Sequence, residues 1–161
     1  MPRWLVSLGW VPLLMGCAVP GPTPEQAASI LSLHNAERAC LGVPPLRWDA
    51  GMAEEAGQWA LSLARSGRLV HAPGRADGEN IWIGTAGAYT VERMVGGWLA
   101  EREAFRRAGR REEDFGAVGH YTQMVWRDST TLGCGLAQAR GRAALVCRYR
   151  PAGNLPGRRP Y

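Results

Sequence analysis

The sequence predicts an α+β domain. Three stretches between residue 23 and about residue 105 carry helical periodicity, and residues 132–150 carry the pattern of a β-hairpin. At 161 residues the chain is one domain with room for a real core. Its 46% apolar and 20% charged content is an ordinary globular balance.

The first helix opens at Thr23-Pro24-Glu25-Gln26. Thr23 can cap, Pro24 suits the first turn, and Gln26 completes a capping box. Ala27, Ile30, Leu31 and His34 then share one face, and Gly42 with Pro44-Pro45 ends the run. On that face His34 reads as a residue with a structural hydrogen bond; Cys40, at the end of the helix, reads as a buried small apolar side chain. Asp49 caps a second helix with Ala53, Ala56, Ala60 and Leu63 on one stripe, closed near Gly67. Thr90 opens a third, running to about Phe105. Between them Ile81, Trp82 and Ile83 read as a short strand, and Arg106 to Asp114 as a solvated, charge-dense loop.

The hairpin pairs Leu132–Ala139 with Arg142–Arg150 around Arg140-Gly141. With a two-residue loop Cys134 faces Cys147 in a non-hydrogen-bonded pair, where Cα atoms lie about 4.5 Å apart. That separation accepts a disulfide. A longer turn would shift the register.

The N-terminus reads as a targeting segment. Arg3 is a short basic region, and Leu5 to Met15 is an apolar run too short to span a bilayer. It ends Leu14-Met15-Gly16-Cys17, which looks like a bacterial lipobox, with Met unusual at its position. Residues 1–16 are therefore expected to be a signal peptide cleaved before Cys17, whose sulfur is lipidated. Ordinary signal cleavage, for example after Ala18, stays open. Residues 17–24, with Pro20, Pro22 and Pro24, read as a stiff tether, and residues 25–161 as the domain. Three thiols follow the anchor: Cys40, Cys134 and Cys147. Two of them are expected to pair in an oxidising compartment.

The formal charge is +5, and +4 once Arg3 is removed with the signal. No basic patch is interleaved with aromatics, so nucleic acid is not the expected partner.

The chemistry starts at two residues that need partners. Met94, Trp98, Glu101 and Phe105 fall on one helical stripe, which places a carboxylate on an apolar face. His120 stands in Gly119-His120-Tyr121-Thr122-Gln123-Met124-Val125-Trp126, an imidazole among aromatic and apolar neighbours. Tyr121, Trp126 and Trp98 read as core, and Gln123 as a residue that could line a cleft.

This octapeptide resembles the signature of the CAP superfamily (cysteine-rich secretory proteins, antigen 5, pathogenesis-related 1; the SCP domain). Similar blocks follow in family order: His34-Asn35 with Arg38, Leu46-Arg47-Trp48-Asp49, His71 with Gly78-Glu79-Asn80, Trp98-Leu99-Ala100-Glu101, and Cys147-Arg148-Tyr149-Arg150-Pro151-Ala152-Gly153-Asn154. They cover roughly residues 25 to 161. Arg148 departs from the pattern, where Asn is usual. The resemblance implies a bacterial exported member with a three-layer α/β/α sandwich, a small, mostly antiparallel sheet between helices. It supports the Cys134–Cys147 bridge.

The resemblance also implies a central cleft tetrad at His71, Glu79, Glu101 and His120. Two imidazoles, His71 and His120, suit Zn²⁺ or a related ion, incompletely and with partial occupancy. The two carboxylates would orient them. Without the resemblance, two structural histidines bonded to two inward carboxylates explain the same residues. The implied function is a binding module at the cell envelope, lipid-anchored or secreted, with a lipid or sterol ligand. The alternative is a metal-dependent, peptidase-like hydrolase in which the same four residues are catalytic. No G-x-S-x-G appears, and no serine stands in a nucleophile context. The tail, residues 151–161, fits PxGNxxxxxPY, which in plant relatives resembles a releasable peptide. Packing of the tail on the sheet is the expectation. The ligand, the native metal and the oligomeric state are not legible in the sequence.

Overall fold

The structure is a computed structural model that describes residues 21–107 and 115–161. The expected signal peptide, Cys17 and the start of the tether lie outside the described residues, as does most of the charge-dense loop. The elements are α1 (Pro24–Cys40), β1 (Arg47–Trp48), α2 (Ala50–Ser66), β2 (Gly78–Thr85), α3 (Val91–Ala100), α4 (Arg102–Arg107), α5 (Phe115–Met124), β3 (Thr131–Ala139) and β4 (Arg142–Arg150).

The caps form as expected. Thr23 and Gln26 exchange the two capping-box hydrogen bonds, at 3.2 and 2.9 Å. Asp49 accepts from the Met52 N–H at 2.8 Å, and Gly67 closes α2 in the left-handed region (φ +70°). The third helix is shorter than expected: α3 ends at Ala100, and α4 begins at Arg102. At the junction Glu101 donates its N–H to Trp98 in an i to i+3 bond, but it stays near helical geometry (φ −64°, ψ −15°). The apolar stripe therefore survives the break, with Met94, Trp98 and Phe105 all buried.

The sheet order is β1-β3-β4-β2, with β1 parallel to β3 and the other pairs antiparallel. Strand parity splits it into two faces. Leu132, Cys134, Leu145, Cys147 and Tyr149 join Ile30, Met94, Trp98 and Tyr121 in one apolar cluster on the α1, α3 and α5 side. Ala137, Ala144, Val146 and Ile81 join Ala56, Ala60 and Leu63 of α2 on the other. These are the three layers.

Residue choice sets the α2 spacing. A Cβ at Gly135 would lie 2.0 Å from the Gly57 nitrogen, and one at Gly133 2.5 Å from the Ala53 nitrogen. Glycine at both strand positions lets helix and strand backbones touch. The hairpin register is the expected one. Arg140 (φ +51°) and Gly141 (φ +74°) form a two-residue turn of the I′ kind, so Cys134 faces Cys147. Their Cα atoms are 4.1 Å apart and the sulfurs are bonded.

Two further expectations change. Cys40 is exposed and unpaired rather than buried, because the last turn of α1 presents it away from the core that takes Ile30 and His34. The strand around Trp82 is eight residues long, because all of Gly78–Thr85 pairs with β4.

The tail packs on α5 and the loop after it rather than on the sheet. Gly153 donates to Gln123 Oε1 (2.9 Å), Thr122 to Asn154 Oδ1 (2.7 Å) and Arg127 N–H to Pro160 (2.7 Å).

Candidate functional site: two carboxylate-held histidines

The four tetrad residues form two pairs built alike. His71 lies in the loop between α2 and β2, and Glu79 is the second residue of β2. The His71 Nδ1 lies 2.9 Å from Glu79 Oε1, and the Ala72 backbone N–H donates to the same oxygen at 3.0 Å. Glu101 sits at the α3–α4 junction and His120 on α5. The His120 Nδ1 lies 2.6 Å from Glu101 Oε1, and the Tyr121 N–H donates to Glu101 Oε2 at 3.0 Å. In each pair the carboxylate takes the ring of one histidine and the backbone N–H of the next residue. An ionised carboxylate only accepts, so Nδ1 carries the proton in both rings. Each Nε2 is left with its lone pair when the ring is neutral.

Further contacts fix the second ring. His120 stacks on Trp98 at 5.8 Å between centroids and 11° between planes, and its carbonyl accepts from the Asn80 amide at 2.9 Å. His71 is the more open of the two, with 65% of its side chain exposed against 37% for His120.

Charge follows geometry. Hydrogen bonding to Glu79 raises the His71 pKa above its ordinary value, against some opposition from burial. Burial pushes the Glu79 carboxyl up. The hydrogen bonds from His71 and Ala72, with the charges of His71 and Arg148, outweigh it and leave the group below the usual range.

A cavity of about 290 Å³ opens beside the first pair, lined among others by His71, Arg75, Glu79, Gln123, Arg148 and Asn154. Gln123 thus lines it, as expected, and is held by Gly153 and Ser129. Glu101 and His120 are not part of this lining. Among the described residues no three His, Cys, Asp or Glu side chains stand where they could hold one metal ion together. The cavity residues missed from sequence are Arg75 and Asp77; alternation along β2 and β4 was the signal available for Arg148.

His34 is separate from the cleft. Its Nδ1 is 2.8 Å from the Ile30 carbonyl and its Nε2 2.8 Å from the Tyr149 hydroxyl. Burial lowers its pKa to about 4, so it stays neutral.

The profile of the cysteine-rich secretory protein family, CAP, matches residues 31–149. The chain belongs to the CAP family. Among CAP relatives, pathogenesis-related leaf protein 4 of Solanum lycopersicum is 40% identical over 132 residues, 81% of this chain and 80% of that protein. The pathogenesis-related protein PR-1 type of Sambucus nigra is 38% identical over 129 residues, 80% of this chain and 77% of that protein. The crystal structure of NaASP2 with Zn²⁺ has the same CAP fold, with a TM-score of 0.70 at 24% identity over 91% of this chain and 90% of that one.

Proposed function

We propose that this CAP domain is an exported binding module, held at a bacterial cell envelope by a lipidated Cys17. Its cleft carries a divalent ion weakly on His71 and His120. One observation carries the reading: both imidazoles are oriented through Nδ1 by a carboxylate, which directs each Nε2 to act as a ligand. Each imidazole would supply one nitrogen, and the remaining positions would be left to water or the guest molecule. A bound ion would supply a Lewis-acidic point for an oxygen of the guest molecule. The Leu14-Met15-Gly16-Cys17 run supports the anchor. The guest we propose, a lipid or sterol, rests on the family resemblance.

Binding is favoured over hydrolysis by what the carboxylates already do. Each accepts an imidazole N–H and a backbone N–H, and the remaining Glu79 oxygen is buried 3.5 Å from the Arg148 guanidinium, which disfavours its taking a proton from water.

Calorimetric titration with Zn²⁺ tests the site. Wild type should give saturable heat, and His71→Ala with His120→Ala should lose it; equal heats would sink the metal. Turnover of peptide, ester or glycan that disappears in the double variant would favour the hydrolase instead. Intact mass of the membrane-extracted protein, with or without a diacylglyceryl group on Cys17, decides the anchor.

A further inference from the structure

The end of the domain farthest along β2 from the cleft carries unmatched positive charge. From Glu79 to Thr85 that strand covers about 20 Å. Three segments build this end: the last turns of α2 with the loop after them, the end of β2, and the β3–β4 turn. The Ala86 N–H donates to the Gly141 carbonyl at 3.0 Å and ties the last two together. Residues 58–71, 80–91 and 132–147 contain no Asp or Glu. They hold Arg65, Arg68, Arg140 and Arg142, all exposed, and none of these four side chains has a hydrogen bond or ion pair among the described residues. The arginines beside the cleft differ: Arg75, Arg148 and Arg150 each face a carboxylate.

On α2, Gln58, Ser62, Arg65 and Ser66 recur at i, i+4, i+7 and i+8 and share one helix stripe. With Leu61 and Arg140 they line an open recess of about 360 Å³. A second recess, of about 270 Å³, lies beside Gly67, Thr85, Gly141 and Arg142. Gly67 makes room for Arg142: a Cβ there would lie 2.9 Å from the guanidinium carbon. Cations at a helix C-terminus answer its dipole, which accounts for Arg65 and Arg142. It does not account for Arg140. That residue takes φ +51° at a turn position suited to Asn or Gly, and it sets its charge beside that of Arg65. Backbone strain and like-charge repulsion, with no bond made in return, point to a surface completed by an anion.

We infer that this end binds an acidic polysaccharide, with Arg65 and Arg140 taking carboxylate groups and Gln58 and Ser62 taking sugar hydroxyls in the same recess. Guanidinium groups match carboxylates two bonds at a time. Neither recess is lined by an aromatic side chain, so there is no platform for the bases of a single-stranded nucleic acid. An anionic bilayer would meet the arginines but leave the recesses unfilled and Gln58 and Ser62 unused. This surface is separate from the cleft and does not depend on the metal reading.

The experiment is calorimetric titration of the exported protein with polygalacturonate at low salt, with neutral dextran, phosphatidylglycerol vesicles and single-stranded DNA as the other titrants. Wild type should bind polygalacturonate saturably, more tightly than vesicles or DNA, and should not bind dextran. Arg65→Gln with Arg140→Asn should lose about tenfold or more, as for one charge-assisted hydrogen bond. Asn suits the turn, so this variant should keep its melting transition. Gln58→Ala with Ser62→Ala should lose about threefold or more at unchanged net charge. Arg47→Gln with Arg159→Gln removes the same charge from exposed arginines elsewhere and should bind like wild type. Equal affinity in wild type and the Arg65 and Arg140 variant overturns the inference. An equal loss in the Arg47 and Arg159 variant also overturns it, because net charge would then be the cause. Full affinity without Gln58 and Ser62 removes the recess from recognition and overturns the polysaccharide. Tighter binding to vesicles or DNA gives the surface to a membrane or a nucleic acid instead, and no heat with polygalacturonate ends the inference.

Discussion

Tyr149 donates its hydroxyl proton to His34 Nε2 across the contact between β4 and α1. The direction follows from the other ring nitrogen: Nδ1 faces the Ile30 carbonyl, which can only accept, so Nε2 is the acceptor. The Tyr149 oxygen in turn accepts from the Asn80 amide at 3.1 Å, and burial pushes its pKa well up, so the hydroxyl keeps its proton.

Acid should therefore unfold the domain through His34. Its folded pKa, about 4, lies below the ordinary 6.5, so the unfolded chain binds the extra proton first. Stability is full above about pH 6.5 and falls as pH drops toward 4, by about 3 kcal/mol for this residue. Urea melts at stepped pH should show that slope in wild type, and His34→Gln should flatten it. An unchanged slope would count against a neutral buried His34.

Arg38 should be the costliest polar residue of α1 to replace. Its buried guanidinium donates to the carbonyls of Pro44, Met124, Trp126 and Ser129 within 3.0 Å, and burial lowers its pKa to about 10. Arg38→Met leaves those carbonyls unpaired and should cost about 3–5 kcal/mol by denaturant melt. Arg38→Lys should recover little of it, since one ammonium cannot replace the fork.

Gly135→Ala should destabilise by about 3 kcal/mol or more, because the new methyl meets the backbone of Ala56 and Gly57 rather than a side chain that could turn aside. Gly141→Ala meets no atom within 4 Å and should cost only the strain of its positive φ, about 1 kcal/mol. Thermal melts of the two variants give the comparison directly.

Replacing Cys134 and Cys147 by serine should lower stability by about 3 kcal/mol, the loop-closure value for a bridge of this span. Labelling with a thiol reagent under native conditions should modify Cys40 alone among the described cysteines, since it is exposed and unpaired.

The hairpin and its disulfide were legible because strand alternation and a two-residue turn leave one register, and Cys134 and Cys147 meet in it. The caps at Thr23, Asp49 and Thr90 were legible for the same local reason. Glu101 was placed on an inward face by spacing alone, and its bond to His120 bears that out. What spacing could not show was the change to i to i+3 bonding at Glu101, since Met94, Trp98 and Phe105 stay in line across it. Exposure of Cys40 was hidden because residue type does not say which way a final helical turn points. The parallel pair Arg47–Trp48 with Thr131–Leu132 is too short to leave a pattern. The helix that carries His120 was missed because polar Thr122 and Gln123 are buried there beside Tyr121 and Met124, which blurs its period.

The order of the strands bears on export. β4 lies inside the sheet between β3 and β2, yet it is the last strand in the sequence. Until residue 150 has left the ribosome, β2 has no neighbour and the disulfide has no second half. A chain arranged this way cannot complete its sheet while it is being made. Under the proposed export, a translocation channel would thread that incomplete sheet, which would assemble on the far side, where an oxidising environment can close the bridge.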